Sequence, residues 1–130
     1  MPGMSRLLLV DDDHVVARAV ARVLGRHHHA VEICNRALDA IERVRAERWD
    51  MVITDFRMPD LDGLTLAGRI VAEAPGTPII LMTGSFDVDL ERVTAAGVVA
   101  VIGKPIEVPA LVELIRVHAR PPFIAPTERS

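Results

Sequence analysis

Short apolar runs alternate along the chain with longer stretches in which apolar positions recur every three or four residues. Arg6-Leu7-Leu8-Leu9-Val10 has the pattern of a buried strand and is stopped by Asp11, Asp12 and Asp13. Asp13 can cap a helix whose apolar face is Val16, Val20, Val23 and Leu24, ending near Gly25. Residues 30–33 read as a second strand, and a helix over 37–47 presents Leu38, Ile41 and Val44. Residues 51–54 form the third strand, and a helix over 64–73 places Leu64, Ala67, Ile70 and Val71 on one stripe. Pro75-Gly76-Thr77-Pro78 stops that helix. A fourth strand follows at 79–82, then a helix from about 87 to 96 closed by Gly97, a fifth strand at 98–102 and a last helix over 107–119.

Strand and helix in strict alternation imply right-handed crossovers and a parallel sheet with helices on both faces. All the carboxyl ends of the strands then lie along one edge, where ligands of open α/β sheets bind. That edge collects Asp11 and Asp12 after strand one, Asp55 after strand three, Thr83 after strand four and Lys104 after strand five. Residues far apart in sequence become one polar cluster. After Ala119 the proline-rich stretch 120–130 cannot extend the helix, so the expected organisation is one domain over 1–119 and a tail or linker stub over 120–130.

The chain has 130 residues, enough for one domain but not for two. Half are apolar, and the runs are rich in Val, Ile, Leu and Ala, as a sheet covered on both faces requires. A net charge of −3, with no basic cluster or aromatic ladder, argues against direct nucleic-acid binding. Cys34 is the single cysteine, which excludes an intrachain disulfide and a cysteine-built metal site. No apolar stretch reaches the roughly 18 residues of a membrane span, and residues 1–5 lack the features of a signal peptide. A cytoplasmic location is the expectation.

Three carboxylates on one edge repel one another unless a cation compensates them. Magnesium, which prefers oxygen ligands and takes one or two carboxylates together with phosphate oxygens, suits such a cluster. Lys104 adds a positive charge for a phosphoryl oxygen, and Thr83 can donate a hydrogen bond to the same group. Asp55 is a candidate nucleophile that would form an aspartyl phosphate. Together these are the parts a phosphoryl transfer needs.

Leu8-Leu9-Val10-Asp11-Asp12-Asp13, Ile53-Thr54-Asp55-Phe56-Arg57-Met58-Pro59-Asp60-Leu61-Asp62-Gly63-Leu64, Leu81-Met82-Thr83-Gly84 and Lys104-Pro105 resemble, in order and spacing, the receiver domains of two-component response regulators of the single-domain chemotaxis type. The resemblance runs from about Arg6 to Ala119. It implies a flavodoxin-like fold with strand order 2-1-3-4-5. By the same resemblance Asp55 is the phosphoacceptor, Asp12 the direct magnesium ligand, Asp11 its partner acting largely through water, and the backbone carbonyl of Arg57 a further ligand. Thr83 matches the switch hydroxyl, Lys104 the phosphate-contacting lysine, and the Lys104–Pro105 bond one that is usually cis. The implied phosphoryl donor is a histidine kinase or phosphotransfer protein, and the implied output is a protein-interaction face formed by the fourth helix, fifth strand and fifth helix. Such a protein is a signalling receiver that catalyses only its own phosphorylation and dephosphorylation.

Two positions depart from that family. Val101 stands where a Tyr or Phe usually swings inward behind the threonine, so output is expected through backbone and loop shifts around 85–88 rather than a ring flip. Ile106 replaces a common aromatic and is expected to repack the core. Arg57 and Ser85 occupy the two variable positions that tune dephosphorylation in the family.

Simpler readings apply elsewhere. Asp60 and Asp62 read as turn formers around Gly63, since the third acid of a calcium loop is missing. His27-His28-His29 reads as an exposed polar turn, Cys34 as a small, partly buried strand-end residue and Trp49 as a packing residue. The last helix has two overlapping apolar stripes, one of Leu111, Leu114, Ile115 and His118 and one of Val108, Val112, Ile115 and Ala119. The expectation is a partner surface, most simply a homodimer. Two competing functions stand beside the receiver. One is a haloacid-dehalogenase-like phosphatase with Asp11 as nucleophile, which lacks the closing acidic pair after Lys104 and leaves Asp55 unexplained. The other is a degenerate receiver acting only as an interaction module.

Overall fold

The computed structural model describes residues 5–84 and 88–121. Among them, strands β1 (Arg6–Val10), β2 (Ala30–Cys34), β3 (Met51–Asp55), β4 (Ile79–Thr83) and β5 (Val98–Gly103) alternate with helices α1 (His14–Arg26), α2 (Ala37–Ala46), α3 (Gly63–Glu73), α4 (Leu90–Ala95) and α5 (Val108–His118). The strands form one sheet of order β2-β1-β3-β4-β5, parallel throughout. The direction of winding reverses between β1 and β3, so a crevice opens at their carboxyl ends.

Alternation within each strand feeds two cores. Leu8, Val10, Val52 and Leu81 face α2 and α3, joined by Val93 of α4. Leu7, Leu9, Met51, Ile53, Ile80 and Met82 face α1 and α5 through Ala17, Val20, Leu24, Leu111 and Ile115. Every residue of β3 and β4 is buried, as expected for central strands covered on both faces. The register shifts where Ile79 pairs with Val98 but Ile80 pairs with Ala100. Val99 is the extra residue, so Val98 joins the first core while Ala100 and Ile102 pack with the second.

Strand order, parallel pairing and all ten expected elements appear, with informative differences at their ends. Four strands run one residue further than the apolar pattern, to Cys34, Asp55, Thr83 and Gly103, because backbone pairing continues after the side chains turn polar. The fourth helix starts at Leu90 rather than near residue 87; Asp89 caps it by accepting from Glu91 N at 2.9 Å, and 85–87 lie outside the described residues. Leu38, expected on the buried stripe of α2, is exposed. The buried arc is Ala37, Ala40, Ile41 and Val44, and Leu38 falls on its flank. On α5 only Leu111 and Ile115 are buried; Val112, Leu114 and Ala119 pack partly against the same core, and Val117 is exposed.

Asp13 caps α1, accepting from Val15 N and Val16 N, as its position predicts. Gly97 has φ +89°, and a Cβ there would lie 2.6 Å from Val71 Cγ2, so a side chain is excluded both by conformation and by space. Ile106 packs against the α1–α5 core.

At the amino-terminal edge of the sheet, the buried carboxylate of Asp50 accepts from Arg6 N at 2.7 Å and from Arg48 Nη1 at 2.6 Å. Arg120 closes over the same edge: its backbone N–H donates to Asp50 O and its Nε to Trp49 O. Trp49 is buried, donates Nε1–H to Arg43 O, and lies under the Arg6 guanidinium at 4.3 Å from the ring centroid. It is the packing residue its position suggested. Residues 122–130 lie outside the described residues.

Candidate functional site

Asp11 is the first residue after β1 and is fully buried. Its N–H donates to Cys34 O, its carbonyl accepts from Asn35 Nδ2 at 2.9 Å, and its Oδ1 accepts from Asp13 N at 3.0 Å. The remaining oxygen, Oδ2, is buried without a hydrogen bond, its nearest ion partner being Lys104 Nζ at 3.9 Å. Burial pushes the Asp11 carboxyl above its ordinary value, although the Asp13 N–H and the Lys104 charge oppose the shift.

Asp55 ends β3, is buried, and its Oδ2 accepts from Lys104 Nζ at 2.8 Å. Burial would lower the Lys104 ammonium, but the Asp55 hydrogen bond and the charges of Asp11, Asp55 and Asp12 outweigh it and leave the ammonium above its usual value. Lys104 is held in place from behind, because its backbone N–H donates to Thr83 O at the end of β4. The Lys104–Pro105 bond is cis. Asp55, Phe56, Arg57, Thr83, Gly84 and Lys104 line one cavity of about 270 Å³. The topology therefore brings all the expected site residues to one edge, with Asp11 and Asp12 beside Asp55 and Lys104.

One ligand oxygen from each of Asp11, Asp12 and Asp55 lies within 4.8 Å of the others. Three carboxylates face a single lysine, and one buried oxygen lacks a hydrogen bond. Hard oxygen donors with excess negative charge fit a divalent cation such as magnesium. Among the described residues this is the only group of three or more His, Cys, Asp or Glu ligands that converges. The histidines of the 27–29 turn do not form one. His27 and His28 are exposed and His28 takes φ 68°, as a turn requires, but His29 is half-buried with an enclosed Nδ1 that has no hydrogen bond. Cys34 is buried at the end of β2, where burial raises its thiol.

The loop after Asp55 returns sharply to start α3. Gly63 N donates to Phe56 O at 2.7 Å, and a Cβ at Gly63 would meet Asp55 O at 2.6 Å and Leu81 Cδ1 at 2.7 Å. Only glycine allows this approach. Asp62 caps α3 through Thr65 N at 2.8 Å. Asp60 is more than a turn former: it reaches across to α2, where Oδ1 accepts from Ala37 N at 3.1 Å and Oδ2 from Leu38 N at 2.9 Å. Burial opposes ionisation there, but these backbone donors hold the Asp60 carboxyl below its ordinary value. Sequence reasoning missed this role and that of Asn35, because each partner lies more than twenty residues away and no periodicity marks it.

The family model described as response regulator receiver domain matches residues 7–116. Over 103 residues the chain is 37% identical to the protein-glutamate methylesterase/protein-glutamine glutaminase 1 of Anaeromyxobacter dehalogenans, covering 77% of this chain and 29% of that protein. Over 117 residues it is 33% identical to the response regulator MprA of Mycobacterium leprae, covering 88% and 51%. The chain thus spans from under a third to about half the length of these curated relatives. A solved CheY-like response regulator receiver domain protein from Methanospirillum hungatei superposes with a TM-score of 0.82 at 28% identity, covering 88% of this chain and 93% of that one.

Proposed function

Because the chain belongs to the response regulator receiver domain family, we propose that it takes a phosphoryl group onto Asp55 from a histidine kinase or phosphotransfer protein and passes the signal on through a protein-interaction face. The observation that carries this reading is the Lys104 Nζ–Asp55 Oδ2 contact of 2.8 Å beside the orphaned Asp11 Oδ2: a nucleophile, a fixed cation and an under-compensated pair of carboxylates in one crevice. An Asp55 oxygen attacks phosphorus in line, the phosphorus–nitrogen bond to the donor imidazole breaks, and that imidazole leaves and takes up a proton. Lys104 exchanges its Asp55 contact for a phosphoryl oxygen, and Thr83 follows the new charge. Asp11, Asp12, Asp55 and the Arg57 carbonyl would hold magnesium, which when bound neutralises the carboxylates and draws charge from the phosphoryl oxygens.

In this reading residues 1–119 are the receiver and 120–130 a tail or linker stub whose first residue, Arg120, is tied to the domain through Asp50 O and Trp49 O, and the domain catalyses only its own phosphorylation and dephosphorylation. Val101 is 37% exposed on β5, with Leu90 of α4 and Val117 of α5 also exposed. A valine cannot reproduce an aromatic ring flip, so backbone shifts in the loop after β4 carry the signal; of that loop, 85–87 lie outside the described residues. The apolar α4–β5–α5 side is the proposed contact with a second copy of the chain. Light scattering with and without magnesium and an acyl-phosphate mimic reads this, and a monomer in both conditions counts against it. No helix among the described residues is long and apolar enough to cross a membrane.

Intact mass after incubation with acetyl phosphate and magnesium tests the phosphoacceptor. Wild type gains one phosphoryl group and Asp55→Asn gains none. Labelling that survives Asp55→Asn and disappears only in Asp11→Asn returns the phosphatase reading, and no labelling of wild type returns the interaction module.

A further inference from the structure

The proposed ligands of the acidic cluster sit at two strand ends, Asp11 and Asp12 just after β1, Asp55 at the end of β3 and Arg57 in the loop that follows it. The residues leading into α2 and its first turn are hydrogen-bonded to both segments. On one side Asn35 Nδ2 donates to the Asp11 carbonyl while Asp11 N donates to Cys34 O. On the other side the N–H groups of Ala37 and Leu38 donate to the two oxygens of Asp60. We propose that Asn35 and Asp60 are positioning residues which, through the first turn of α2, set the spacing between the two halves of the metal site. This rests on the magnesium reading above.

The way α2 is capped supports the role. Asp13, Asp62 and Asp89 each cap the helix they precede. Arg36, at the corresponding position of α2, makes no side-chain cap. The helix borrows its cap from a loop more than twenty residues away, so the cap is also a cross-link. Charge-assisted bonds from helix N-terminal N–H groups to a carboxylate are among the stronger hydrogen bonds available, and Asp60 uses both oxygens, which fixes its orientation as well as its distance. From Asp60 the chain runs back over Pro59 and Met58 to Arg57, and the Gly63 N to Phe56 O bond closes that loop on itself. A continuous path of hydrogen bonds and short chain therefore joins Asp11 to Asp55 without passing through the metal. Partners of this kind orient ligands without touching the ion, and their loss costs about tenfold or more in metal affinity.

The test uses the full chain at about 0.15 M salt, where exposed charges are largely screened. Magnesium is titrated calorimetrically into wild type, Asn35→Ala, Asp60→Asn and the double variant, with Asp39→Asn as a control that removes an exposed charge from the same helix. The expected result is about tenfold weaker binding in each single variant, less than the product of the two in the double variant because either break opens the same path, and a control within about twofold of wild type. Asn35→Ala changes no charge, so its loss cannot come from long-range electrostatics. Without magnesium, Asp60→Asn speeds hydrogen exchange at the Asp11 amide, on the far side of α2, an effect that a cap acting only on its own helix would not produce. Magnesium affinity within twofold of wild type in both variants, or unaltered Asp11 exchange in Asp60→Asn, overturns the proposal. Failure of wild type to bind magnesium overturns the metal reading instead, and the exchange measurement then decides the cross-link alone.

Discussion

Asp50 and Asp55 are both buried aspartates, one immediately before β3 and the other at its end, yet their surroundings differ in kind. Asp50 is saturated: Arg6 N and Arg48 Nη1 bind its two oxygens, and Arg120 and Trp49 close the edge around it. Asp55 shares one lysine with Asp11, whose second oxygen has no hydrogen bond. At the amino-terminal edge both oxygens of the buried Asp50 carboxylate are answered by protein donors, which is what stability requires of a buried carboxylate. At the carboxyl edge negative charge is left over for something the chain does not supply. On the proposed function, stability and chemistry are thus separated onto opposite ends of one strand.

Breaking the saturated end should have the largest effect on stability and the smallest on chemistry. Asp50→Ala removes the acceptor of the Arg6 N–H and of Arg48 Nη1, although Arg48 Nη2 keeps Pro121 O; a loss of about 2–3 kcal/mol by urea denaturation is expected, with acetyl-phosphate labelling of the folded fraction retained. Loss of labelling in the folded fraction would show that the two ends are not independent. Gly63→Ala attacks the other end through packing alone. The added Cβ must push away Asp55 O and Leu81, with about 1–3 kcal/mol lost and labelling slowed in the same variant. Full labelling at the wild-type rate would mean that the loop gives way without disturbing Asp55.

Asp11→Asn carries the comparison in the opposite direction. Removing a buried carboxylate that has no hydrogen bond to one oxygen should stabilise the metal-free protein by roughly 1 kcal/mol while abolishing its stabilisation by added magnesium. A destabilised variant would mean that the acidic edge is as well compensated as the other. The smallest effect concerns His29, beyond the amino-terminal edge. Burial, with His27 and His28 adding to it, lowers the His29 imidazole below its ordinary 6.5, so the unfolded chain binds the proton first. Its contribution to stability is present above about pH 6.5 and is lost as pH falls below it. His29→Gln should therefore flatten the fall in stability between about pH 7 and 5, read from melting temperature across that range; an unchanged slope would place the titrating group elsewhere.

Much of this molecule was legible in the chain itself because period-2 and period-3.6 patterns are local. The apolar runs at 7–10 and 79–82 read as strands covered on both faces, and strands alternating with helices bring every carboxyl end to one edge. That geometry alone places Asp11, Asp12, Asp55, Thr83 and Lys104 together. The order of the strands was not in the periodicity and came from resemblance. Leu38 was misplaced because its spacing to Ile41 and Val44 is helical, while the arc that meets the sheet is centred on the small residues Ala37 and Ala40. The distant partners of Asp60, Asn35 and Asp50 escape the sequence for a common reason: each is a single polar residue whose partner is supplied by another loop or strand. Hydrophobic patterning specifies which faces meet, not which carboxylate is answered and which is left wanting.

On the proposed function phosphorus arrives at Asp55, at the carboxyl end of β3 within the under-compensated acidic cluster. Reductive trapping with borohydride after phosphorylation converts an aspartyl phosphate to homoserine, and peptide mapping then reads its position. Homoserine at position 55, dependent on magnesium and absent at 11, 12 and 50, is the predicted result; homoserine at 11 or 12, or none at 55 in protein that has gained a phosphoryl group, would contradict it.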